Sequence, residues 1–261
     1  MKKYELTAEF IEKWGKKLFR IKALISFGSV EAGELGGYVE KEDNLAQDGD
    51  AWVYGDAEVY GNAWVYGDAE VYGNAWVYGN AEVCGDARVY GNAEVYGDAE
   101  VYGNAWVYGN AEVCGDAEVY GNARVYGDAE VYGNAEVCGD ARVYGNAWVY
   151  GNAEVYGNAW VYGDARVYGD ARVYGNADYL LIGRIGSRFS FTTFFKNKDK
   201  GITVSCGCFL GTIAEFRAKV TDTHGNNKHA RIYNLAADMA ELQILGEEHF
   251  DKLNTNKSET F

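Results

Sequence analysis

Four residues near the end of the chain have side chains that bind metals or attack carbonyls: Cys206, Cys208, His224 and His229. Alternation along a strand would place Cys206 and Cys208 on one face. A thiol beside an imidazole is the pair that nucleophilic catalysis needs. As zinc ligands they sit off the common spacing, because C-x-C is tighter than the usual C-x2–4-C. His224 reads as the end of a helix, where the dipole favours a cation. Packing or capping is the plain expectation for all four, with a metal set or a Cys–His nucleophile as the sharper alternatives.

The second concentration of chemistry is carboxylate, and it emerges only once the repeat is laid out. From Ala51 to Asn176 the sequence reads A-x-V-[Y/C]-G-[N/D] twenty-one times without interruption. A fixed short period over such a length marks a stacked-repeat architecture. Each hexad alternates in character, with Ala and Val for one side of a strand and x and Tyr for the other. Gly-Asn or Gly-Asp then supplies a corner, since both types tolerate a left-handed backbone. Three hexads close a triangular turn, so the stretch forms seven coils, a prism about 34 Å long at the usual strand spacing.

Residues 18 apart then stand one above another. The third face carries five consecutive acids, Glu82, Glu100, Glu118, Glu136 and Glu154, and the first carries Trp52, Trp106 and Trp160 among Arg88, Arg124 and Arg142. Like charges opposed in neighbouring strands are destabilising. The Glu ladder is therefore a candidate binding surface, with copying of one Glu during repeat duplication as the plain alternative. A Ca²⁺ there would need six to eight oxygens, more than one Glu column offers. Eighteen Tyr and three Cys stand beside these columns. Tyr stacking accounts for much of this, and the aromatic exterior also suits a protein partner, self-association or sugar rings.

The hexads resemble the left-handed parallel β-helix of hexapeptide-repeat proteins, with Val53 at the aliphatic first position and Ala57 at the small fifth. The left hand is implied by that resemblance. The entrance, Arg20-Ile21-Lys22-Ala23-Leu24 through Ala32-Gly33-Glu34-Leu35-Gly36-Gly37-Tyr38-Val39-Glu40, then Asn44-Leu45-Ala46-Gln47-Asp48-Gly49-Asp50, looks like the start of a family of bacterial and phage members of that class, often labelled as transferases. Acyltransferases of the class use a coil-borne His as general base and a loop that interrupts the coils. Between Ala51 and Asn176 there is no His, Ser, Thr or Lys, so the coils hold no base but carboxylates.

The flanks must cap the stack, because open coils expose apolar ends and strand edges. Residues 1–50 form the N-terminal cap. Phe10–Trp14 and Leu18–Leu24 read as a hairpin about Gly15, with a helix over Thr7–Phe19 as the competitor. The glycine-rich Gly33–Val39 reads as a turn, and Val39 and Leu45 begin an irregular first coil. The β-helix covers 51–182, with Asp178–Ile182 finishing it. A small α+β domain covers 183–250: strands over Arg188–Phe195 and Ile202–Phe209, then a helix opened by the Thr212–Glu215 capping box with Phe216 and Val220 inward. A second helix over about Lys228–Leu245 carries Tyr233, Ala236, Ala237, Met239, Ala240 and Leu242 as its apolar side. Residues 251–261 are expected to be a loose polar tail.

The net charge is −15, of which the repeats carry −14. That sign excludes a surface for direct nucleic-acid binding. No apolar run reaches membrane length and no leader precedes the chain, so no membrane association is expected. The unpaired cysteines point to a reducing, cytoplasmic setting. Together these features describe a mainly β protein that acts as a non-enzymatic interaction scaffold, without cofactor, for a protein partner or for homo-oligomerisation. An acidic nucleic-acid mimic and a hexapeptide-class acyltransferase are the alternatives.

Overall fold

The computed structural model describes residues 2–247, so the expected tail at 251–261 lies outside the described residues. Its body is a three-sided parallel β-solenoid. Trp52–Val53 to Trp160–Val161 form one seven-stranded face, and Trp64–Val65 to Arg172–Val173 form another. The remaining face runs from Glu58–Val59 to Arg166–Gly169 and gains three N-terminal strands, making ten. The register is the expected 18 residues at every level, as in Val89 against Val107 and Glu100 against Glu118.

Period-two alternation is what produces this tube. Every inward Ala and Val from Ala51 to Val173 is fully buried, and burying a Val side chain is worth about 1.5 kcal/mol or more. Each corner glycine from Gly55 to Gly169 has positive φ, and at most of them a Cβ would also press on the backbone of the next coil. A Cβ on Gly97 would lie 2.9 Å from the Gly115 nitrogen one coil on. Beside the glycines, Asn side chains donate to the same position on the next level: Asn92 to Asn110 at 3.0 Å, and Asn110 to Asp128 at 2.9 Å. A ladder stops at Asp, which has no proton to pass on.

The entrance is the expected hairpin, Tyr4–Lys13 with Lys16–Ala23. Its two turn residues, Trp14 and Gly15, both have positive φ, the pattern of a tight type I′ turn. Leu35–Val39 pairs antiparallel with the hairpin and parallel with Glu58–Val59, so the glycine-rich segment is a strand and not a turn. Gly36 and Gly37 are there because a Cβ on either would strike backbone oxygens of Val53 and Ala57 at 2.5 Å. Leu45 bridges Val65, twenty positions on, so the first coil is two residues longer than the rest. Its wide corner is tied by Lys3, whose Nζ donates to the carbonyls of Asp48, Gly49 and Ala51 at 3.3, 3.2 and 3.0 Å.

After the last coil the chain forms a four-stranded antiparallel sheet, Tyr179–Ile185, Ser190–Lys196, Ile202–Cys206 and Phe209–Thr212. Two helices follow, α1 (Ile213–His224) and α2 (Lys228–Leu245). Tyr179–Ile182 therefore opens this sheet and does not finish the stack, since it pairs antiparallel with Thr192–Phe195. The expected strand Ile202–Phe209 is divided by a turn in which Gly207 has positive φ. Buried Tyr179 and Phe195 join the core of the solenoid, and Asn197 bridges Ala171. The C-terminal sheet thus plugs the far end of the tube as the hairpin plugs the near end. Thr212 and Glu215 form the expected capping box on α1, with Phe216 and Val220 buried. Among the described residues no helix is long and apolar enough to cross a membrane.

Candidate functional site

The five acids of the third face stand in register, Glu82 to Glu154, each beside the next. Four of the five are not free carboxylates. The Tyr two positions after x on one coil donates to the Glu of the following coil: Tyr66 to Glu82 at 3.0 Å, Tyr102 to Glu118 at 2.8 Å and Tyr120 to Glu136 at 3.2 Å. Tyr156 also donates to Glu136, and Tyr174 to Glu154 at 2.7 Å. Arg172 lies 3.5 Å from Glu154. The second face repeats the device in Tyr78 to Glu94 and Tyr96 to Glu112, at 3.0 and 3.1 Å. Tyr rings meanwhile stack down each column, as Tyr90 on Tyr108 at 4.8 Å between centroids.

Glu100 is the exception in the ladder. Partial loss of solvent, with Glu118 and Glu82 on either side, raises its pKa. Glu130 on the second face is raised as well, by partial burial and by Glu112. The spacing that signals most of these phenol–carboxylate pairs, sixteen residues from Tyr to Glu, is present in the sequence but gains meaning only with the register.

The three first-face tryptophans have separate environments. Trp52 is fully buried beneath the N-terminal cap, edge-on to Tyr4 at 6.0 Å and Phe27 at 5.4 Å, so it is no part of an outer surface. Trp106 is clamped between the guanidiniums of Arg88 and Arg124 at 5.5 and 4.5 Å. Trp160 is 41% exposed at the end of the column, with Arg142 at 5.0 Å. The arginines thus use two of the three rings as cation–π partners, and each such contact is worth about 0.5–1 kcal/mol at an exposed site.

The Cys–His group does not assemble. Cys206 ends a strand with Thr192 Oγ1 at 3.2 Å, whereas Cys208 is exposed in the turn that follows. Those two and His224 line a cleft of about 240 Å³ with Arg188, Phe216 and Lys219. His229 packs against His224, ring centroids 5.9 Å apart, and its Nδ1 is buried without a partner. Among the described residues no three His, Cys, Asp or Glu side chains are placed to hold one metal ion. The turn at Gly207 separates the thiols that strand alternation would have aligned.

α2 also departs from expectation. Tyr233, Ala236, Ala237 and Ala240 are buried, but Met239 and Leu242 are exposed with Leu235 on the opposite side. Glu241 is buried instead, held by Arg217 of α1 at 2.8 Å.

A family model described as YdcK beta solenoid repeat matches residues 117–133, 135–151, 147–163 and 165–177. These segments span the later coils. The chain is a repeat β-solenoid protein of mainly β architecture with a small two-helix domain at its C-terminal end. No curated protein matches it.

Proposed function

We propose that the protein is a non-enzymatic scaffold that pairs with a second copy of itself through α2 and holds its rigid columns outward. The observation carrying this reading is the stripe Leu235, Met239 and Leu242, which are 62, 57 and 45% exposed. Their spacing, i, i+4 and i+7, puts them on one side of the helix. An apolar helix side of this kind marks an association surface. The stack supports the scaffold half of the reading. Its Glu, Asn, Tyr and Arg side chains are engaged with one another level by level, which makes a stiff rod. The hexapeptide acyltransferase reading lacks its coil-borne His, and the Arg–Trp clamp on the first face breaks the negative field that a nucleic-acid mimic would need.

Light scattering after size exclusion tests the proposal. The wild-type chain is expected at twice its monomer mass, and the Leu235→Glu/Met239→Glu variant at the monomer mass with unchanged circular dichroism. A wild-type monomer, or a dimer indifferent to both substitutions, sinks self-pairing through α2.

A further inference from the structure

We propose that the junction of the last coils with the C-terminal sheet is a binding site for a small phosphate monoester. A cleft of about 450 Å³ opens there, and three arginines line it from three different segments. Arg166 comes from the last second-face strand, Arg184 from Tyr179–Ile185, and Arg188 from the turn that follows. Ser190, Thr193 and Ser205 line the same cleft. A volume of this order suits a small ligand.

In a chain of net charge −15, arginines are expected beside carboxylates. Arg88, Arg172 and Arg217 follow that expectation, at 3.0, 3.5 and 2.7 Å from Glu70, Glu154 and Asp238, whereas Arg124 and Arg142 lie singly over tryptophan rings instead. Among the described residues, none of the three cleft arginines has a carboxylate within ion-pair distance. Gathering three like charges with no counterion is unfavourable, and an anion in the cleft reverses the sign of that interaction.

Two of the three are also held in position. The Arg166 guanidinium lies 4.6 Å above the Trp148 ring, and its backbone N–H donates to Thr193 Oγ1 at 3.2 Å. The Arg188 Nη1 lies 3.5 Å from where a Cβ on Gly207 would stand, so it rests against the hairpin turn. A phosphate dianion has the acceptors to meet several guanidinium forks together with nearby hydroxyls. Asp164 is the one carboxylate among the lining residues. It disfavours a bare anion and accepts from a hydroxyl, which selects a phosphate joined to a hydroxylated group. The acidic solenoid repels a long polyanion, so the ligand is small.

Titration calorimetry at low salt with inorganic phosphate, ribose 5-phosphate and ribose is the test. Ribose 5-phosphate is expected to bind more tightly than phosphate, and ribose not at all. Affinity for ribose 5-phosphate should rise with pH through about 6, where the second proton of the ester leaves, and fall with added salt. Arg184→Gln and Arg188→Gln should each weaken binding about tenfold or more, while Arg124→Gln on the first face leaves it unchanged. Both cleft residues are exposed, and circular dichroism confirms that the variants stay folded. Absence of binding by either phosphate at millimolar concentration overturns the site, as does equal affinity in the cleft variants or an equal loss in Arg124→Gln.

Discussion

Cys84 occupies the position from which a tyrosine would donate to Glu100. The same offset joins Tyr66 to Glu82 and Tyr102 to Glu118 on the adjoining levels. Cys114 stands in the same relation to Glu130. Glu100 on the third face and Glu130 on the second are also the two solenoid acids whose pKa is raised. The third cysteine, Cys138, faces Glu154, which is served from the other side by Tyr174 and Arg172. Each cysteine thus removes a phenol donor as well as a ring from its column.

Restoring the phenol should stabilise the chain. Cys84→Tyr places a ring between Tyr66 and Tyr102 and a hydroxyl beside Glu100. Stacking and one hydrogen bond together should contribute about 1 kcal/mol or more. Urea denaturation measures the gain, and an NMR titration should show the Glu100 pKa returning towards the ordinary carboxylate range. No change in either quantity would contradict the pairing rule.

The same two acids give a signed pH dependence. Their folded-state pKa lies above the unfolded value, so just above the ordinary carboxylate range the folded chain binds more protons than the unfolded one. Stability therefore falls as pH rises through that window. Glu215, held low by the Thr212 backbone N–H and hydroxyl, acts in the opposite sense and at lower pH. The Glu100→Gln/Glu130→Gln double variant should show a flatter decline across the window than wild type. An identical slope in both proteins would remove these two groups as its source.

The solenoid was readable because one local pattern states it completely: Ala and Val fix the inside, and Gly with Asn or Asp fixes each corner. What escaped was the traffic between neighbouring coils. The Tyr-to-Glu bonds join residues sixteen or twenty apart, separations that matter only once register is known. The C-terminal plug escaped for a related reason. Tyr179 follows directly on the last corner and looks like more of the same strand, yet only three-dimensional packing shows Phe195 and Tyr179 closing the tube. Helical period alone groups Met239 and Leu242 with the inward residues, whereas the narrow seam against α1 and the sheet accepts Ala236, Ala237 and Ala240. The Cys–His cluster failed on a single glycine, Gly207, whose turn separates the thiols.

The corner glycines separate two causes of strain. Gly97→Ala meets both a positive φ and the Gly115 backbone at 2.9 Å, whereas Gly169 has a positive φ with nothing within 4 Å of its Cβ position. Gly169→Ala should cost about 1–2 kcal/mol from the left-handed backbone alone. Gly97→Ala must add the displacement of a neighbouring coil, for about 3 kcal/mol or more in total. Thermal and urea unfolding of the two variants compares them directly. Equal losses would show that coil contact adds nothing to the demand for glycine.

Trp52 and Trp160 belong to one column in sequence and to different environments in the fold. Trp52 is wedged between Tyr4, Phe27 and the first coil, so Trp52→Ala opens a cavity under the cap and should cost about 3–5 kcal/mol. Trp160 is half out in solvent, and Trp160→Ala should cost about 1 kcal/mol. Because the cap protects an open strand edge, loss of Trp52 should also expose the first coils, which hydrogen exchange would register as faster exchange near Val53 and Val59 than near Val161. A mild effect at Trp52, or uniform exchange along the stack, would return that residue to the outer surface and deny the cap its role.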